Sequence, residues 1–284
     1  MTTWDLMLSA WDWEPSIVIG CSALTIAYLL LARPRQPLKT ALFLSGVLIL
    51  LIDLVSPIDT LGDRALLSAH VLQHFLLALI IPPLWLLGTP RQPVEASLRH
   101  GWLARAERVL AQPAVSWPIG VVPMIAWHIP TLFNAALASD ALHIFQHLSF
   151  LVGGTIFWWP ILGPLPGRRP SPLAAIVYLF SACTACSVLG AALTFMPLGA
   201  YPAYANAFGQ DKVQRLVRTG WGLDPKTDQQ IGGLMMWVPG CLVYLTAILA
   251  SVARWFVAAD AADRNSRAER GWQAKAPAPP EAVQ

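Results

Sequence analysis

The sequence has little charge. Only 12% of its 284 residues are Asp, Glu, Lys or Arg, whereas 56% are hydrophobic. A soluble domain carries roughly 25% charged residues, so this composition argues against an ordinary water-soluble domain and predicts a polytopic membrane protein. The net charge of +3 is small and gives no indication of a nucleic-acid partner.

The N-terminus lacks the features of a cleaved signal peptide. Its first fifteen residues contain Asp5, Asp12 and Glu14 but no Lys or Arg, and no small-residue cleavage site follows the first apolar run. A signal peptide needs a basic start and such a cleavage site. We therefore expect the first apolar segment to remain in place as a membrane span.

Seven apolar segments are long enough to cross the hydrocarbon core, which needs about 20 residues of helix. The predicted fold class is all-α, a polytopic seven-transmembrane-helix bundle within a domain of residues 1–256. The predicted spans are 16–33, 40–56, 65–88, 114–137, 141–162, 173–197 and 230–256.

The basic residues are distributed unevenly between the two faces of this predicted bundle. With the N-terminus placed outside, 14 of the 19 Lys and Arg residues fall on the inner side. Because inner loops of membrane proteins carry the excess of Lys and Arg, we predict an N-out/C-in orientation. The five basic residues on the outer side are Arg64, Lys212, Arg215, Arg218 and Lys226.

Three further segments have distinct patterns. Residues 94–110 place Val94, Leu98 and Trp102 four apart among arginines, which predicts an inner interfacial helix in contact with membrane lipid. The outer segment 198–229 contains Tyr201 and Tyr204, and its length and expected exposure favour docking of a protein partner. Residues 257–284 are polar and rich in Pro and Ala, so we expect a disordered cytoplasmic tail.

Histidine is the most informative residue type in the chain. Five of the six histidines fall in the outer half of the predicted bundle, two pairs having the spacing H-x-x-x-H. Residues four apart on a helix have Cβ atoms roughly 6 Å apart, so each pair can contribute to one metal site. The five candidate metal ligands are His70, His74, His128, His143 and His147.

Other polar or soft side chains lie at the same predicted depth. Asp53 lies near the outer end of the second span and Asp228 precedes the seventh, and we expect both carboxylates to fix histidine tautomers by hydrogen bonds. Met196, Met235 and Met236 are possible thioether ligands, which would favour Cu(I). Met also fills gaps in apolar cores, so both interpretations of the methionines stay open.

The four cysteines do not predict a disulfide. Cys183 and Cys186 form a C-x-x-C near the middle of an apolar span, where small-residue helix packing is favoured over a redox or metal pair. Cys21 and Cys241 belong to different spans.

Three kinds of chemistry suit a histidine cluster. The residues after the first histidine of each pair are Val71 and Ile144 rather than Glu, which argues against a zinc protease of the H-E-x-x-H type. A copper carrier, a zinc hydrolase using Ser68 or Ser149 near the metal, and a b-type haem protein stay open. We find no persuasive catalytic nucleophile, so a non-enzymatic role is favoured.

Four runs in register resemble one known family. HVLQHFLLALIIPPLWLLGTP, WHIPTLFNAAL, LHIFQHLSFLVGGTIFWWPIL and DQQIGGLMMWVPG are similar to the multi-span CtaG-like factors associated with assembly of caa-type cytochrome c oxidase. The resemblance covers about residues 40–256. The polar signature that it marks is His70, His74, His128, His143, His147, Asp228, Gln229 and Gln230.

The resemblance implies a role in the bacterial inner (plasma) membrane, in assembly of a haem-copper oxidase. The implied cargo is copper, and the implied partners are a membrane subunit of the oxidase and a periplasmic copper chaperone. The sequence departs from the family pattern at Gln146, where Glu is frequent, and at Cys241, where Gly is usual. The first departure removes a potential anion from the metal site.

Overall fold

The structure is a computed structural model that describes residues 1–32, 36–165, 169–205 and 211–273. This part of the chain contains helices and turns but no β-strand, so the all-α prediction is confirmed. Its helices are α1 Thr3–Ser9, α2 Pro15–Leu31, α3 Pro37–Val55, α4 Pro57–Arg64, α5 Leu67–Gly88, α6 Arg91–Ser97, α7 Gly101–Leu110, α8 Pro113–Trp127, α9 Pro130–Leu137, α10 Asp140–Leu162, α11 Pro172–Phe195, α12 Pro202–Ala205, α13 Lys212–Arg215 and α14 Pro225–Gln273.

Five of these helices are long and apolar enough to cross a membrane, namely α3, α5, α10, α11 and α14 as far as Ala261. The number is six if α7 and α8, which meet at a 69° bend, count as one span. Helix α2 is apolar but has only 17 residues. The seven-span count and the orientation therefore stay predictions.

The fourth predicted span, 114–137, is not one continuous helix. Helix α8 ends at Trp127, and α9 begins only at Pro130. The residue before a proline is disfavoured in helical conformation, and Ile129 is extended. Pro130 therefore separates the two helices and leaves His128 at the break.

The predicted tail starts as helix rather than as disordered chain. Helix α14 continues through residue 256 to Gln273, which corrects the expectation of disorder for residues 257–273. Alanine is abundant there and favours helix, and Arg267 pairs with Asp263 one turn earlier at 2.8 Å. The rest of the tail, residues 274–284, lies outside the described chain, as do residues 206–210 of the outer segment and the basic residues Arg33, Arg35, Arg168 and Lys275.

A π-helical turn interrupts α5 at Leu76–Ile80. Pro82 and Pro83 follow it, and a proline cannot donate the hydrogen bond that the carbonyl four residues earlier would accept. The carbonyl oxygen of Ala78 accepts instead from Trp158 Nε1 of α10 at 3.3 Å. A Cβ at Gly154 would lie 2.6 Å from that oxygen, so glycine is required for this close approach of α10.

Two charged residues hold the start of α5. The Asp228 carboxylate accepts from the backbone N–H groups of Leu67 and Ser68 at 2.9 and 3.1 Å, which caps the helix that carries His70 and His74. Arg218 lies 3.8 Å from Asp228 and donates to the carbonyl oxygens of Ala65 and Tyr204. The first turn of α14 and the segment before it, more than 150 residues away in sequence, thus position this helix.

The far end of α5 borders an apolar cavity of about 520 Å³. Tyr28, Phe43 and Trp159 contribute to its lining together with α6 and α7, and these two helices replace the single interfacial helix predicted over 94–110. Trp102 is 71% exposed, as expected for a residue that faces lipid.

Candidate metal centre

The structure brings five histidine rings together from three parts of the chain. His70 and His74 lie in the first two turns of α5, His128 caps the C-terminus of α8, and His143 and His147 lie in the first two turns of α10. The sixth histidine, His100, is exposed at the start of α7. The predicted grouping of five histidines is therefore present in the fold.

The hydrogen bonds of His70 identify its tautomer. Its side chain is fully buried, and its Nδ1 lies 3.2 Å from the Tyr204 hydroxyl. That hydroxyl donates its single proton to the carbonyl oxygen of Gly62 at 2.6 Å, so it accepts from His70. Nδ1 therefore carries the proton, and Nε2 is left with a free lone pair.

A second chain of hydrogen bonds fixes His74. His128 Nδ1 lies 2.6 Å from the carbonyl oxygen of Met124, which can only accept, so this nitrogen is the donor. His128 Nε2 then accepts from His74 Nδ1 at 3.3 Å. His74 Nε2 is therefore unprotonated, and His128 orients the His74 ring. A ligand role for His128 stays a prediction.

Three histidines are arranged to hold one metal ion. His70, His74 and His147 each offer a ring nitrogen, and these three nitrogens lie within 4.8 Å of one another. The Nε2 atoms of all three have no hydrogen-bond partner in the described part of the chain. Buried polar atoms are normally paired, so the unpaired Nε2 atoms of these three neighbouring rings are candidate metal ligands.

A second group overlaps the first. Asp63, His70 and His143 also bring three ligand atoms within 4.8 Å of one another, and His143 Nε2 lies 3.8 Å from Asp63 Oδ1. The side chains of Asp63 and His143 are 39% and 17% exposed. This second group is therefore the more accessible side of the cluster.

Carboxylates gather beside this accessible side. Partial burial raises the pKa of Asp63 to about 6, although the adjacent Arg64 opposes the change. Burial, and next the charge of Asp63, raises the pKa of Asp59 to about 6. Both groups are mainly ionised at neutral pH, which gives the mouth of the cluster negative charge.

Aromatic side chains enclose the inner rings. Phe133 of α9 is fully buried with its ring centroid 4.9 Å from that of His70, and Phe150 lies 4.4 Å from His74. Tyr201 packs on Phe133 at 4.7 Å and donates to the carbonyl oxygen of His128 at 2.6 Å. These groups shield the inner three-histidine group from water.

The other polar residues of the predicted site have no hydrogen bond to a histidine in the described chain. Asp228 caps α5, and Gln229 Nε2 donates to the carbonyl oxygens of Leu193 and Met196 at the end of α11. The Asp53 side chain is 1% exposed, and neither of its carboxylate oxygens has a hydrogen-bond partner in the described chain. Asp228 and Gln229 thus position helices rather than histidine rings.

The soft side chains fall on the α11–α14 interface. Met236 is buried, and its carbonyl oxygen accepts from Cys186 Sγ at 3.2 Å, while Met196 and Met235 are half-buried. Cys183 Sγ lies 3.4 Å from Cys241 Sγ, and all four cysteines are free thiols. Cys183 therefore packs against α14 rather than against its C-x-x-C partner, and a ligand role for the methionines stays a prediction.

Sequence analysis missed three residues in or beside the cluster. Tyr204 was expected on an exposed docking loop, but it is 3% exposed and contacts His70. Tyr201, expected there too, is 1% exposed. Asp63 was not predicted at all, since its distance from His143 depends on how α4 folds against α5 and α10. The two tyrosines of the outer segment were a signal that could have identified Tyr201 and Tyr204.

An apolar helical bundle around a buried histidine cluster defines a multi-span membrane protein with a candidate metal centre. Residues 24–258 match the family described as cytochrome c oxidase caa3 assembly factor (Caa3_CtaG). The chain therefore belongs to this family of oxidase assembly factors, which confirms the resemblance inferred from the sequence.

Similar proteins occur in mycobacteria. The uncharacterized protein ML1998 of Mycobacterium leprae is 30% identical over 233 residues, which cover 75% of this chain and 33% of that protein. The uncharacterized protein Mb0105 of Mycobacterium bovis is 28% identical over 208 residues, covering 67% and 30%. The chain thus spans about a third of the length of these relatives. No solved structure matches it.

Proposed function

We propose that this oxidase assembly factor binds Cu(I) through His70, His74 and His147 and aids its insertion into a haem-copper oxidase. One observation carries the proposal: the three rings place their ligand nitrogens within 4.8 Å of one another. Family membership supplies the context of oxidase assembly, and the histidine geometry supports copper as the cargo.

The donor set suits a metal that must be released again. Imidazole nitrogen binds copper and zinc well, whereas a closed cage of four cysteines holds metal permanently. The ligand group has three nitrogens and no thiolate. We infer an open site from which an acceptor can remove the ion.

Delivery would occur within the membrane. We propose that the chain is a multi-pass protein of the bacterial inner membrane with the histidine cluster toward the periplasm. A periplasmic copper chaperone would supply the ion there, and the oxidase's membrane subunit would accept it. Exposed arginines on α6 and α7 would hold the inner face against anionic lipid.

Two other functions fit the contacts less well. A zinc hydrolase would use Ser68 or Ser149, but Ser68 Oγ donates to Asp228 at 2.6 Å, and Ser149 Oγ donates to the carbonyl oxygen of Gln146 at 2.7 Å. A b-type haem would need a flat slot between facing histidines. The His70 and His147 ring centroids are only 5.9 Å apart, and His70 and His74 are 4.5 Å apart, so the rings pack on one another instead.

The test is element analysis of detergent-purified chain after anaerobic loading with Cu(I). We expect about one tightly bound copper per chain for the wild type, loss of this tight binding in His74→Ala and His147→Ala, and no change in His100→Ala, the exposed histidine outside the cluster. Retention of tightly bound copper by both cluster variants, or zinc in place of copper in the wild type, would contradict the proposal.

The cellular role needs a separate measurement. In a strain that lacks its own factor, wild-type chain should restore copper in the purified oxidase, and His74→Ala should not. Oxidase with full copper in the presence of His74→Ala would show that assembly does not depend on this cluster.

A further inference from the structure

We propose that Cu(I) enters through an outer position formed by Asp63, His143 and His70, then moves to the inner position of His70, His74 and His147. The inference rests on the proposed copper binding and adds a route of entry with a ligand, Asp63, that the family signature does not include. The copper stays Cu(I) throughout, and only ligands are exchanged.

The outer position is built to receive a cation from water. Asp63 Oδ1 and His143 Nε2 are 3.8 Å apart, and their side chains are 39% and 17% exposed. The third member, His70, is fully buried, and its Nε2 lacks a hydrogen-bond partner in the described chain. A carboxylate at the mouth attracts the ion electrostatically, while the buried nitrogen directs it inward.

His70 can serve only one position at a time. Its Nδ1 donates to Tyr204, so Nε2 is its one available ligand atom. Since both ligand groups include His70, they are alternative places for one ion rather than a site for two. A bound ion would keep His70 while its other two ligands are replaced.

The replacement ligands lie one helical turn deeper. The ring centroids of His143 and His147 on α10 are 4.2 Å apart, and those of His70 and His74 on α5 are 4.5 Å apart. Exchange of His143 for His147, and of Asp63 for His74, therefore needs only a short movement. The inner set has no carboxylate, and neutral imidazoles suit the soft Cu(I) ion better than carboxylate oxygen does.

The fold fixes Asp63 in this position. Its neighbour Gly62 packs so closely on α5 that an added Cβ would lie 3.2 Å from the backbone N and Cα of His70. The Gly62 carbonyl accepts from the same Tyr204 hydroxyl that orients His70. One tyrosine thus connects the outer ligand's helix to the shared histidine.

The first experiment measures loading rate by stopped flow, with Cu(I) supplied as a chelator complex. Asp63→Asn should load roughly tenfold more slowly, the lower end of what a favourable charge adds to an association rate, yet still bind one copper at equilibrium. Asp211→Asn, which removes a partly exposed carboxylate paired with Arg64 at 3.5 Å, should load at the wild-type rate. An unchanged rate in Asp63→Asn would overturn the inference.

The second experiment removes two inner ligands, so that an ion can bind only at the outer position. His74→Ala/His147→Ala should retain a weakly bound copper whose X-ray absorption spectrum indicates two nitrogens and one oxygen, and adding Asp63→Asn should remove it. An empty double variant, or two coppers per wild-type chain, would overturn the inference while leaving the proposed function intact. A wild-type chain without copper would overturn both.

Discussion

At the residue scale, hydrogen-bond donors and acceptors determine which ring nitrogens can bind metal. The Met124 carbonyl requires a proton on His128, and His128 Nε2 then requires one on His74 Nδ1. The Tyr204 hydroxyl requires a proton on His70 Nδ1. Both Nε2 lone pairs are thus freed by groups outside the ligand set, as is usual around protein-bound metals.

Replacement of Tyr204 by Phe should weaken copper binding without unfolding the chain. The change keeps the buried ring but removes the acceptor for His70 Nδ1–H, and loss of such a partner typically costs roughly 10- to 100-fold in metal affinity. Competition with a Cu(I) chelator measures it. Tyr201→Phe is the matched control, because its hydroxyl donates to the backbone carbonyl of His128 and not to a histidine ring. An equal loss of affinity there would contradict the assignment.

His128 and His74 should differ when each is replaced by Ala. His128→Ala removes the group that orients His74, so the chain should still bind one copper, with weaker affinity. His74→Ala removes a member of the inner ligand group, and tight binding should disappear. Equilibrium dialysis separates the two results, and complete loss of copper from His128→Ala would identify that ring as a ligand.

At the element scale, the site depends on how α5 begins. We predict that Asp228→Asn lowers stability by about 1–3 kcal/mol, because a charged acceptor of backbone N–H groups is lost and Arg218 loses its anion. Thermal unfolding in detergent measures this as a lower Tm. Asp260→Asn, at an exposed position on α14, serves as control. If the two variants have the same Tm, the Asp228 carboxylate does not contribute to the stability of α5.

The packing of α10 on α5 gives another prediction. Gly154→Ala should lower the Tm, since its Cβ would meet the Ala78 carbonyl oxygen and overpacking typically costs about 1–3 kcal/mol. Gly20→Ala is the control: it has open space around it and should be neutral or stabilising, by up to about 1 kcal/mol. Equal Tm values would mean that α10 can move away at little cost.

Sequence reasoning succeeded where the signal was local. The H-x-x-x-H spacing identified four rings because residues four apart share a helix face, and predicted spans such as 141–162 closely match the helices. It missed Tyr204, which contacts His70 from 134 residues away, and it did not predict the contact between the His74 and His128 rings. Those facts depend on tertiary packing, for which one sequence contains no direct signal.

At the scale of the whole molecule, contacts at each end of the bundle bear on orientation. Leu6 of α1 belongs to a buried cluster with Leu61 of α4 and Val213 of α13, so the N-terminus lies at the histidine end. Tyr28, near the end of α2, donates to the Gly88 carbonyl at the opposite end of α5. Helix α2, with 17 residues, therefore extends from the histidine end toward the opposite end of α5. This direction supports the prediction that α2 is a span.

The same contacts predict which residues a membrane-impermeant thiol reagent can reach in whole cells. Cysteines introduced at Thr2 and Lys212 should react, because both exposed positions lie at the histidine end, whereas Arg105→Cys on α7 should react only after permeabilisation. A chain without the four native cysteines provides the background. If the reagent labels Lys212→Cys but does not label Thr2→Cys in whole cells, α2 does not cross the membrane. Labelling of Arg105→Cys alone would invert the orientation and place the histidine cluster on the cytoplasmic side, where a periplasmic copper donor could not reach it.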